Sequence, residues 1–198
     1  MTGPRLLSQV DQLTGIRPLL TGILAKTGDI IAAVGDDQWE LPTPCTEFDV
    51  RALTNHITGW IQVFDAGCHG RTFEGDASAY QFGSDPAEEF RASARSLTAG
   101  WQEYGLDRPA RIMSGEMPGE MVFNMTVMEY LVHGWDLAVA TGWEIPFTED
   151  ESSDTLARAQ RTLPPEYRGP NMAFGEIVTV DTDASTTTRL AAFLGRQP

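Results

Sequence analysis

The stretch VFNMTVMEYLVHGWDLAVATG, residues 122–142, decides how this chain folds. Wound at about 100° per residue, it is apolar on nearly every side. Met128, Leu131, Val132, Trp135 and Val139 cover several directions, and Val122, Met125 and Ala140 extend the remaining face. A helix apolar nearly all round belongs at the centre of a bundle. Yet Glu129 and His133 lie about 40° apart on that remaining face, with Asp136 within about 60° of His133. Ionisable groups in such a place are costly unless a partner charge, an ion or hydrogen bonds compensate.

Outward from this helix, the same periodicity recurs. Leu13, Ile16, Leu20, Ile23, Leu24, Ile30 and Ile31 predict a first helix from about Val10 to Val34, with Pro18 as a kink or a true start. Asp49 is a plausible N-cap for a second, from Val50 to about Ala66, carrying a Leu53, Ile57, Trp60, Ile61, Phe64 stripe. Pro86 opens a third, ending near Gly105, after a polar loop from Gly67 to Asp85. The turn-rich SGEMPGEM precedes the fourth, Val122 to Thr141, with Gly142 as its C′ residue. Thr148 and Glu151 form a capping-box pattern ahead of a fifth helix reaching about Leu163, where Pro164 and Pro165 stop it. The irregular PNMAFGEIVTV then leads to a short helix from about Ala184 to Leu194, closed by Gly195. The expectation is an all-α protein: a four-helix bundle with short C-terminal helical additions and almost no strand. Residues 1–198 read as a single domain, its core bundle at about 10–142 and an extension at 143–198.

Bulk composition narrows the function classes. A formal charge of −14, from 28 acidic and 14 basic residues, argues against nucleic acid and anionic membrane as partners. Lys26 is the only lysine, a compositional bias with no mechanistic content. The N-terminal MTGPRLLSQVDQL has no sustained apolar core and no run is of membrane length, so the expected location is cytoplasmic. In that compartment Cys45 and Cys68 are expected to be unpaired.

Donors at i and i+4 on one helix face can reach a single metal ion, so Glu129 and His133 form a candidate pair. His56 lies between Leu53 and Trp60 at the edge of the second helix's buried stripe and points toward the same interior. His69, in the glycine-containing CHGRTF, is expected to be solvated. The plainer readings carry equal weight at this point. His56 can be a hydrogen-bonded core residue, Glu129 and His133 a helix salt bridge, and Asp136 a cap or an arginine partner. Cys45, ahead of the second helix, is expected to pack there. As a nucleophile Cys45 would want a partner base, and His56 lies ~9 Å along that helix from Val50, which argues against a direct role. No Ser, His and Asp set resembles a hydrolase triad.

LPTPCTEFDVRALTNHITG (41–59), EYLVHGWDLAVATG (129–142) and RLAAFLG (189–195) resemble the DinB-like metal-binding bundles. They are most similar to the branch related to the N-terminal domain of mycothiol-dependent maleylpyruvate isomerase. The resemblance implies a DinB-like four-helix bundle holding one divalent ion through His56, Glu129 and His133, with Asp136 orienting a ligand. Zinc suits such a set best, and nickel, cobalt or manganese would also bind. The family implies a low-molecular-weight thiol cosubstrate, mycothiol first, and hence a metal-dependent S-transferase or isomerase-like enzyme acting on a small electrophile. The isomerase carries a further C-terminal domain, whereas here only 143–198 follow, so its own activity does not transfer with the resemblance. A non-catalytic metal-binding sensor or assembly protein is the alternative, and a metal-assisted hydrolase a further one. Related bundles also suggest a homodimer.

Overall fold

A computed structural model describes residues 9–113, 115–169 and 174–198. The side chains of Leu13 and Ile16, Ser114 of the turn-rich stretch, and residues 170–173 of the irregular segment lie outside the described residues. The chain is all-α: a four-helix bundle of α1 (Gln9–Ala32), α2 (Val50–Cys68), α3 (Pro86–Tyr104) and α4 (Gly119–Thr141), followed by α5 (Glu149–Thr162) and α6 (Thr186–Phe193). Helices α1 and α2 each pack against both α3 and α4. Helix α4 additionally meets α5, α6 and a small hairpin, which makes it the hub.

Local chemistry explains most boundaries. Asp49 accepts a hydrogen bond from the Ala52 amide at 2.7 Å, satisfying a free N–H of α2's first turn. Asp85 does the same for Glu88 at the start of α3, where Pro86 takes the first helical position. At α5 both halves of the Thr148–Glu151 capping box are present. Gly142 ends α4 in the left-handed conformation at φ 69°, which a side chain would resist. Pro18 falls inside α1, so the helix runs through it.

The core follows the apolar stripes. Ile23, Ile30, Leu53, Ile57, Ile61, Phe90, Leu97, Val122, Phe123 and Leu137 are wholly buried around α4. At Gly134 a residue of α1 comes close to α4. A Cβ there would lie 2.8 Å from Thr27 Oγ1 and 2.6 Å from the Phe147 ring. Glycine costs a helix interior about 1 kcal/mol, and here it admits a neighbouring helix in return. The Thr27 hydroxyl then sits 3.0 Å from the Tyr130 carbonyl. Val139 departs from the all-round burial, being exposed near the helix end.

The other departure is the hairpin, β1 (Pro109–Ile112) and β2 (Gly115–Pro118), antiparallel with Ala110 opposite Met117 and Arg111 opposite Glu116. SGEMPGEM was expected to be a turn; its GEMP is a strand that runs into α4. Ala110 and Ile112 are buried while Pro109 and Arg111 are exposed, a period-two pattern too short to stand out in the sequence. The hairpin rests on α2 and α4, one edge of the cavity described next.

Candidate metal centre

His56 from the middle of α2, and Glu129 and His133 from successive turns of α4, converge at one point. His56 Nε2 is 3.0 Å from Glu129 Oε1, and His133 Nε2 is 3.5 Å from the same oxygen. The two helices are tied beside it, because the Tyr130 hydroxyl donates to the Ile57 carbonyl at 3.2 Å. The imidazoles stand edge to face with centroids 5.3 Å apart, and Phe48 lies against His56 at 4.8 Å. Neither His56 nor Glu129 is sealed: their side chains are 24% and 21% exposed, against 7% for His133.

The charges behind this face are compensated in sequence. Asp136 is fully buried, and its Oδ2 lies 3.0 Å from His133 Nδ1. A carboxylate so placed anchors Nδ1–H, so that the neutral ring turns its Nε2 lone pair, and the protonated ring a second N–H, toward Glu129. Arg196 then reaches back from just beyond α6, its Nε donating to both Asp136 oxygens at 3.2 Å and its Nη2 to Oδ2 at 3.1 Å. Its Nη1 donates to the Leu194 carbonyl at 3.3 Å. Burial pushes the Glu129 carboxyl up, but the charge of His133 and the hydrogen bond from His56 outweigh it and hold the group at about 2.

Those donors suit a divalent ion. Zinc with nitrogen and oxygen ligands at 2.0–2.1 Å in a tetrahedron requires ligand-to-ligand separations of about 3.3 Å. The observed 3.0 and 3.5 Å bracket that figure. The set could also take nickel, cobalt or manganese. The donors open onto a cavity of about 430 Å³, so an ion held here would not be enclosed by protein on every side. The cavity is walled by Met117, Met121, Met125 and Met128 with Trp60 and Phe64.

Two residues were misjudged from sequence, and one was missed. Cys45 is not remote: its sulfur lies within 4.8 Å of ligand-type atoms of both His133 and Asp136, and it lines the cavity. Distance along α2 was the wrong measure, because Cys45 is not on the helix. Its loop folds back over the cavity, pinned by Thr43, whose hydroxyl lies 2.8 Å from Phe48 O and 3.0 Å from Cys45 O. Burial pushes its thiol up, only partly offset by Arg196, to about 11. His69 is not solvated either. It is half-buried, with Nδ1 2.7 Å from the Asp65 carbonyl and its ring edge-on to Tyr104. Arg196 carried no local signal at all. Both cysteines are free.

A helical bundle presenting two imidazoles and a carboxylate to an open cavity defines a class, that of the DinB-like bundles. Within it, the profile of the mycothiol maleylpyruvate isomerase N-terminal domain matches residues 20–138, and the chain belongs to that family. Two uncharacterized proteins of Mycobacterium tuberculosis, Rv0738 of strain H37Rv and MT0763 of strain CDC 1551, are each 27% identical over 172 residues. The similarity spans 84% of this chain and 90% of each relative. No solved structure matches significantly. Among the described residues no helix is long and apolar enough to cross a membrane.

Proposed function

We propose that the protein is a divalent-metal-dependent enzyme that joins a low-molecular-weight thiol, mycothiol being the one its family suggests, to a small electrophile. The observation that carries this is the convergence of His56, Glu129 and His133 on an apolar cavity with room beyond them. A buried site built only for structure is closed by its protein ligands, whereas three donors leave a position for a substrate. A divalent ion held by these residues supplies the positive charge that keeps a thiol ionised near neutral pH.

The chain's own residues do the rest. Asp136 fixes the His133 tautomer, and Arg196 offsets the Asp136 charge. The methionine and aromatic walls keep water from competing with the sulfur nucleophile. The thiol proton passes to solvent, the sulfur lone pair forms a C–S bond, and the electrophile's leaving group departs with its bonding pair. In an isomerisation the same C–S bond forms and then breaks, returning the thiol.

The test is thiol consumption by zinc-loaded protein given mycothiol and a panel of electrophiles. Turnover that requires both metal and thiol is expected. Turnover without thiol would instead indicate a hydrolase, and metal binding with no turnover on any electrophile a sensor or assembly protein.

A further inference from the structure

The metal centre adjoins a second hollow. A groove of about 310 Å³ meets the larger cavity along Phe48 and His56, which line both. The two differ in chemistry. Methionines and aromatic rings wall the cavity, whereas Asp49, Arg51, Asn55, Ser78 and Gln81 line the groove. A transferase brings two substrates to one point, and two unlike hollows here share a candidate metal ligand.

The groove's polar groups have hydrogen-bonding capacity to spare. Asn55 is buried on α2 and fixes the loop beside it. Its Oδ1 accepts from the Phe82 amide at 2.8 Å, and its Nδ2 donates to Gln81 Oε1 at 3.0 Å. The Gln81 carboxamide is thereby oriented, with Nε2 as its unspent donor. The Arg51 guanidinium lies against two rings, 5.4 Å from the Trp39 centroid and 5.3 Å from that of Phe82. Such contacts orient the planar fork while its N–H edges stay available. Ser78 Oγ donates to Asp76 Oδ1 at 2.6 Å and can still accept. Asp49 spends Oδ1 on the Ala52 amide and keeps Oδ2. Donors from Arg51 and Gln81 thus stand beside acceptors from Ser78 and Asp49, and the guanidinium offsets the carboxylate. A hydroxyl both donates and accepts, so a groove offering both suits a ligand rich in hydroxyls.

We infer that the groove seats an uncharged, polyhydroxylated body of the thiol cosubstrate, whose sulfur reaches the ion past the partly exposed His56. The inference rests on the thiol-transfer reading and adds a cosubstrate subsite to it, leaving the methionine-lined cavity to the electrophile.

Two titrations test it. In the first, the absorption spectrum of the cobalt-loaded full chain follows binding of mycothiol and of N-acetylcysteinamide, which keeps the sulfur end but lacks the hydroxylated rings. Mycothiol should bind about ten-fold or more tightly, a difference that a few hydrogen bonds supply. Arg51→Ala and Gln81→Ala, both at exposed positions, should each weaken mycothiol about 3–10-fold and leave N-acetylcysteinamide unchanged. Equal binding of the two thiols, or an advantage for mycothiol that survives both changes together, overturns the groove while leaving thiol transfer standing. The second titration needs no sulfur coordination. S-methylmycothiol added to isotope-labelled, metal-free protein should shift the side-chain amide resonances of Asn55 and Gln81, and Arg51→Ala should weaken that response. If neither thiol alters the cobalt spectrum, thiol transfer fails and this second titration decides the groove. Shifts at Asn55 and Gln81 that Arg51→Ala weakens uphold it, and unmoved resonances overturn it.

Discussion

Helix α2 contributes to two clusters of ligand-type side chains, and their difference shows why one of them is the better candidate site. His56 meets Glu129 and His133 of another helix, whereas Asp65, Cys68 and His69 all come from one five-residue stretch at the helix's end. In the second cluster the donors are already committed. His69 Nδ1 faces the Asp65 carbonyl, which can only accept, so that nitrogen carries a proton. Cys68 Sγ donates to the same carbonyl at 3.2 Å, and Ser96 occupies an Asp65 oxygen at 2.8 Å. In the first cluster the outward nitrogen of His133 is freed because Asp136 takes the inward one. It also faces a cavity. Both clusters offer ligand-type side chains; direction, support and space belong to one.

The largest expected effect breaks the support. Arg196→Met leaves the fully buried Asp136 without its cation, which should cost about 3–5 kcal/mol of stability in chemical denaturation. The matching change in the other cluster, Arg71→Met, removes a largely exposed guanidinium 3.7 Å from Asp65 and should cost about 1 kcal/mol or less. Similar losses in the two variants would erase the distinction between them.

Next comes response to metal. Zinc at 100 times its dissociation constant should stabilise the wild type by about 2.7 kcal/mol, and Cys68→Ala by a like increment over its own metal-free baseline. His133→Ala should gain nothing. Asp136→Asn should still bind, about 10–100-fold more weakly, because the His133 tautomer loses its anchor.

A further effect concerns acid. Glu129 is held near 2 against an ordinary 4.5, so it contributes stability above pH 4.5 that disappears as the pH falls toward 2. Metal-free Glu129→Gln should lack that part of the acid limb when stability is measured across the window. An unchanged acid limb would mean that His56 and His133 do not hold the carboxylate as the geometry indicates.

The reasons some features were legible in the sequence are physical. Helix caps are local, so Asp49, Pro86, Thr148 with Glu151, and Gly142 announced their elements within four residues. The central position of α4 followed from apolarity on all sides, which no surface helix tolerates. That Glu129 and His133 share a face is a property of one helix and needs no tertiary information. The buried stripe of α2 turned His56 toward the same interior, but the family resemblance was needed to favour it as the third donor, since nothing local to α2 specifies which turn of α4 it meets. Arg196 lies 60 residues from Asp136, and an arginine after a short helix advertises no partner. Cys45 was misplaced because a loop was measured as though it extended a helix. The hairpin escaped because four-residue strands carry too little period to compete with neighbouring glycines.

The central claim is that His56, Glu129 and His133 together hold an ion. Metal content of the purified protein, wild type beside His56→Ala, tests it most directly. One equivalent of divalent metal per chain in the wild type and almost none in the variant is the expected result. Equal content in the two would contradict the site.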